Sequence, residues 1–148
     1  ACGCAGTQVR TLAQEEAGQD APAQPGRLQN WPVQLQLVPV RAPYFDGCDL
    51  LIAADCTAYA CGSFHADFIR GHVTLIGCPK LDRADYEEKL TAILMENNVR
   101  SITLARMEVP CCGGLEYAAR QAVEASGKSI PMRVVTFMAD GKLLPQDA

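Results

Sequence analysis

The chain has 148 residues, 49% of them apolar, which is enough for one globular domain with a core and too little for two. A formal net charge of −4 provides no broad basic face for phosphates, which argues against nucleic acid and anionic membrane surfaces as partners. No stretch approaches the ~18 consecutive apolar residues of a membrane span, and the N-terminus lacks a basic-then-apolar export pattern, so the expected location is cytoplasmic.

Ala1 rather than Met heads the chain, which reads as a fragment, a processed chain or a trimmed one. Residues 1–30 are expected to form an irregular N-terminal arm. The arm begins ACGCAG, with Cys2 and Cys4, and continues from Ala13 to Gln29 as AQEEAGQDAPAQPGRLQ, which has no apolar period of either kind. Residues 31–148 are expected to form a single α/β domain. Short runs rich in Val, Ile and Leu at 34–38, 49–54, 73–77, 101–105 and 133–137 alternate with helical or turn-like segments. That alternation predicts a mostly parallel sheet of four to five strands flanked by helices. Helices are clearest at 83–96 and 113–125, with a shorter one near 64–70. In the first, Tyr86, Leu90, Ile93 and Leu94 share one stripe at helical spacing, which makes it a packing element with Glu87, Glu88 and Lys89 around its solvated side.

Eight cysteines are many for an intracellular chain of this length. Disulfide scaffolds are short, loop-rich and secreted, so metal ligation is the favoured explanation and buried or reactive free thiols the next. In a parallel sheet with right-handed crossovers, residues just past the strand ends gather along one edge. Cys56 follows LLIAAD, Cys78 follows VTLIG, and Cys111 and Cys112 follow SITLARMEVP at the start of a helix. Gly113 and Gly114 allow close backbone approach there, and the helix N-terminus favours an anionic sulfur. The same features would activate a nucleophilic thiol. Cys4 is expected to complete a four-sulfur shell, with Cys2 beside it. Cys48 precedes its strand and therefore belongs to the opposite edge as an apolar filler. Cys61 and His65 share the loop CGSFHADF near the site, within reach of it or as bystanders, while His72 starts a strand away from it.

Two family resemblances rest on these residues. LQNWPVQLQLVPVRAPYFDGCDLLIAADC, HADFIRGHVTLIGCPKLD and RSITLARMEVPCCGG together resemble the C-terminal domain of ferredoxin-like 4Fe-4S iron–sulfur proteins of anaerobic bacteria, in which a two-cluster ferredoxin segment commonly comes first. The resemblance implies Cys4, Cys56, Cys78, Cys111 and Cys112 as the family-type cysteines and leaves Cys48 and Cys61 unassigned. More narrowly, Cys78 followed after 32 residues by Cys111, Cys112 and Gly113 is similar to the first half of the CCG motif of heterodisulfide reductases, whose cysteines bind a noncubane cluster. The second half of that motif has no counterpart, because no cysteine follows Cys112.

The expected function is iron–sulfur electron transfer. The expected cofactor is one cluster, 4Fe-4S or a noncubane or larger one, on Cys56, Cys78, Cys111, Cys112 and Cys4, with Cys2 as a sixth thiol. The expected partner is a redox protein or an upstream ferredoxin-type domain. Two other classes remain open: a thiol/disulfide redox enzyme using Cys111 and Cys112, or one of them with Cys61, and a structural zinc module. No GxGxxG or Walker pattern points to a nucleotide.

Overall fold

The computed structural model describes residues 5–14 and 22–145. Four strands, β1 (Asp49–Ala54), β2 (Val73–Gly77), β3 (Ser101–Met107) and β4 (Met132–Phe137), form one sheet in the order β2-β1-β3-β4. Every neighbouring pair is parallel. Three helices, α1 (Thr57–Ala60), α2 (Tyr86–Glu96) and α3 (Gly113–Ser126), lie in the crossovers, and a single π-type turn at His65–Ile69 follows α1. The expected α/β architecture is therefore present, with four strands.

The order requires the first connection to run one way along the sheet and the next two to run the other. Right-handed crossovers then place the first connection on one face and α2 and α3 on the opposite face. Side chains alternate between the faces. Register puts Ala53 beside Ile76 and Ala105, and this face continues to Phe137. Phe64 and Phe68 cover it, stacked at 5.3 Å and each meeting the Phe137 ring, at 5.9 and 5.2 Å. On the other face, α2 and α3 pack against one another, and Leu90, Ile93 and Leu94 are buried along with Tyr86. The expected packing stripe is intact.

Local chemistry sets the helix ends. Asp85 accepts the Glu88 N–H at 3.0 Å, so α2 starts at Tyr86 rather than at the expected Arg83. Lys128 Nζ donates to the carbonyls of Leu94 at 2.6 Å and Asn97 at 3.0 Å, placing a cation at the negative end of α2. Gly127 ends α3 in the left-handed conformation, φ 70°, that favours glycine.

The expected strand at 34–38 is absent. Gln34 makes an isolated parallel bridge to Ile76, and the chain then turns, with the N–H groups of Leu37 and Val38 both donating to the Gln34 carbonyl. Leu35 and Val38 are buried while Leu37 is exposed. Their three-residue spacing belongs to a helical turn, and the run of apolar residues conceals it. The short helix expected near 64–70 is the π-type turn, and β3 runs two residues past its expected end because Arg106 and Met107 pair with Thr136 and Phe137. Among the described residues, no helix is long and apolar enough to cross a membrane.

Candidate functional site

The strand order reverses between β1 and β3, and the loops that leave these two strands diverge at their C-terminal ends. This opens the crevice in which open α/β sheets carry their ligands. Cys56 lies on one side of it, immediately after β1, and Cys111 and Cys112 lie on the other, in the 3-10 turn Pro110–Cys112. Cys78 follows β2 next door. The sheet thus carries all four thiols to one edge.

Each thiol is set by its backbone. Cys56 is exposed and opens α1, its carbonyl accepting the Ala60 N–H at 3.0 Å. Cys78 is half-buried at the head of a tight turn, where its carbonyl accepts the N–H groups of Leu81 at 3.2 Å and Asp82 at 2.9 Å. Its own N–H meets the Tyr86 hydroxyl at 3.0 Å and Asp82 Oδ2 at 3.3 Å. Pro110 starts the second cysteine turn, and the Cys112 N–H closes it on the Val109 carbonyl at 3.1 Å. Arg106 clasps the approach to this turn, donating to the carbonyls of Val109 at 3.2 Å and Met107 at 3.1 Å and to Glu116 at 3.2 Å. Gly114 lets α3 lie against the Cys78 turn, because a Cβ there would be 3.3 Å from Pro79.

The thiols act on one another. Cys56 is exposed as a residue, yet the partial burial of its surroundings pushes its thiol up, and the neighbouring Cys78, Asp55 and Cys111 push it in the same direction. The Cys112 thiol is likewise pushed up by burial, with Cys111 acting in the same direction, and together they outweigh the Met107 backbone and Arg106. The helix N-terminus is expected to favour an anionic sulfur here, and burial acts against it. Cys112 is 7% exposed, and desolvation disfavours its thiolate by more than the nearby donors favour it.

A carboxylate pair adjoins the thiols. The Asp55 carboxyl is pushed up by burial and by the charge of Asp82, and Asp55 Oδ1 is buried without a hydrogen-bond partner. Asp82 is held low by its hydrogen bond from Tyr86. Asp55, Asp82, Tyr86 and Arg106 are site residues that the sequence reading misses. Asp82 and Tyr86 follow Cys78 at two successive steps of four residues, and Tyr86 is legible only as part of a packing stripe.

The other candidates fall elsewhere. Cys48 sits at the opposite edge, half-buried, its thiol pushed up to about 11 by burial and Asp49. That is the packing role expected of it. Cys61 is buried in the hydrophobic core, with its sulfur 3.7 Å from Ser63 Oγ. His65 Nδ1 accepts the Arg27 N–H at 3.0 Å, and His72 contacts the Arg70 carbonyl at 3.0 Å. Cys2 and Cys4 lie outside the described residues. The chain just after them returns to this edge: Ala5–Thr7 packs against Pro110–Cys112, Arg10 pairs with Glu108 at 3.0 Å, and Leu12 lines a hollow with Cys56 and Met107.

Among the described residues, no three His, Cys, Asp or Glu side chains are disposed as a ready metal shell. Thiols are nonetheless the donors that suit soft metal chemistry, and four of them lie along one edge of the sheet, where the arm returns beside Cys56, Cys111 and Cys112.

The fold and the crevice define an open, doubly covered parallel α/β domain. Residues 42–148 match the Rossmann-like domain family, and the chain belongs to it. An uncharacterized protein from Archaeoglobus fulgidus is 30% identical over 119 residues, covering 80% of this chain and 84% of the relative. No solved structure matches the chain.

Proposed function

We infer that this domain binds an iron–sulfur cluster at the C-terminal edge of its sheet and serves electron transfer in the cytoplasm. The observation that carries the reading is the placement of Cys56, Cys78, Cys111 and Cys112 past the C-terminal ends of three neighbouring parallel strands. The thiols of Cys56, Cys78, Cys111 and Cys112 would hold the group, with Cys4 and Cys2 supplied by the arm. The group itself would supply one-electron chemistry. The chain's own residues orient the thiols: Tyr86 and Asp82 hold the Cys78 turn, and Arg106 holds the turn of Cys111 and Cys112.

The likeness to the C-terminal domain of ferredoxin-like iron–sulfur proteins and to half of a CCG motif supports a cluster, and it supports a redox protein or an upstream ferredoxin-type domain as the partner. A nucleophilic role for Cys112 needs a stabilised thiolate, and burial pushes that thiol the other way. Metal binding has no such difficulty, because coordination removes the thiol proton. Anaerobic purification with iron, sulfide and zinc analysis and a visible spectrum tests the reading. Brown protein with iron and sulfide in similar amounts is expected. Colourless protein with about one zinc, or metal-free protein with titratable thiols, would sink it.

A further inference from the structure

A cavity of about 370 Å³ opens on the face of β1 and β2 that carries Phe64, next to the thiol edge but without a thiol in its walls. Its floor is Ala53 and Ile76, cross-strand neighbours in the register of β1 and β2. Phe64 and Ile69 wall one side, and Leu28 and Val33 from the segment bridging to β2 wall the other. The volume sits at the small end of ligand cavities and suits a molecule of roughly a dozen non-hydrogen atoms.

Polar groups in these walls are few. Thr74 and Asp55 both line the cavity, and each has a buried side-chain oxygen without a partner, Oγ1 and Oδ1 respectively. Asn30 satisfies the backbone of Thr74 on both sides, taking its N–H at 2.8 Å and donating to its carbonyl at 2.9 Å, so the hydroxyl alone is left over. A buried oxygen without a donor is costly, and a ligand that brings the donor recovers that cost. Thr57 lines the cavity too, but its hydroxyl is already spent on the Ala54 carbonyl at 2.8 Å. Asp55 is the one carboxylate among the lining residues, which include no Lys or Arg but do include Tyr59 and His65, the latter accepting the Arg27 N–H at Nδ1. The unpartnered buried oxygen of Asp55, like that of Thr74, calls for a ligand that brings hydrogen-bond donors and not further acceptors. We propose that this cavity is a binding site for a small, mostly apolar amine, its body against Ala53, Ile76, Phe64 and Ile69 and its N–H donors to Asp55 and Thr74.

No thiol lines the cavity, although Asp55 precedes Cys56 in the chain. Calorimetric titration of the purified full chain uses 2-phenylethylamine as the probe and 3-phenylpropionate as the anionic comparison of similar size. Saturable binding of one amine per chain is expected, with the propionate at least tenfold weaker. Asp55→Asn should weaken the amine at least tenfold. Ala58→Phe, at an exposed lining position where folding is little affected, should do the same by filling the cavity. Absence of amine binding, equal binding of amine and propionate, or full binding by folded Ala58→Phe would each overturn the proposal. If Asp55→Asn does not fold, Ala58→Phe and the amine-to-propionate ratio decide it.

Discussion

The Tyr86 hydroxyl accepts the backbone N–H of Cys78 at 3.0 Å and donates to the Asp82 carboxylate, so one phenol from α2 fixes the turn that carries a thiol out of β2. The contact depends on Gly77, because a Cβ there would lie 2.7 Å from the Tyr86 oxygen and 2.9 Å from its ring. Tyr86→Phe should cost about 1 kcal/mol through the lost hydrogen bonds. Gly77→Ala should cost about 1–3 kcal/mol by displacing the ring. The double variant should be less destabilised than the sum, since Phe removes the nearest clashing atom. Denaturant unfolding of the four proteins measures this coupling, and strict additivity would show that the two groups do not meet.

Iron content should divide the cysteines by edge. Single replacement by Ser of Cys56, Cys78, Cys111 or Cys112 should lower bound iron or change the visible spectrum. Cys48→Ala, at the far edge, should leave iron stoichiometry unchanged and cost about 1 kcal/mol of packing. Metal analysis of the panel checks both halves, and loss of iron from Cys48→Ala would mean that the metal is elsewhere.

Acid stability should depend on Asp49. Hydrogen bonds from Arg100 and Ser101 hold its carboxyl down at about 2, below the ~3.9 of an unfolded aspartate. A depressed folded value stabilises the fold above the unfolded value, and this contribution is lost as pH falls from about 4 to about 2. Arg100 is largely exposed, so screening reduces the effect to about 1 kcal/mol. Unfolding free energy followed between pH 5 and pH 2 should fall less steeply in Asp49→Asn than in the parent. Identical slopes would remove Asp49 from the account.

The N-terminal arm should report on the metal. Residues 5–14 meet the thiol edge through Ala5–Thr7, Arg10 and Leu12. One exposed ion pair and a few side chains hold them weakly. Removing the metal, or replacing Cys4 with Ser, should leave the sheet folded while amide exchange in this segment rises. Hydrogen exchange by mass spectrometry measures it, and unchanged protection in both samples would exclude Cys4 as a ligand.

Much of the fold is legible in the sequence because its signals are local. The runs at Asp49–Ala54 and Val73–Gly77 are buried strands with β-branched and aliphatic residues between turns, and both form at the expected positions. The stripe of Tyr86, Leu90, Ile93 and Leu94 reports its own burial by its spacing. The run at 34–38 misleads for the opposite reason. A few apolar residues are equally consistent with a strand or a buried turn, and the free edge of β2 offers pairing for Gln34 alone.

For the site, the sequence by itself determined which edge Cys48, Cys56, Cys78, Cys111 and Cys112 occupy. Strand direction follows from parallel pairing and right-handed crossovers, and a residue's place before or after its strand then assigns its edge. That logic separates Cys48 from Cys56, Cys78, Cys111 and Cys112. Tertiary structure alone decided the environment of each sulfur, because desolvation depends on what packs around an atom. Nothing in PCCGG says that Cys112 lies beneath the surface, where burial raises its thiol. Nor could spacing reveal the group around Cys78, Asp82, Tyr86 and Asp55, in which α2 and the ends of two adjacent strands meet. Hydrogen bonds between separate elements exist only once those elements have packed.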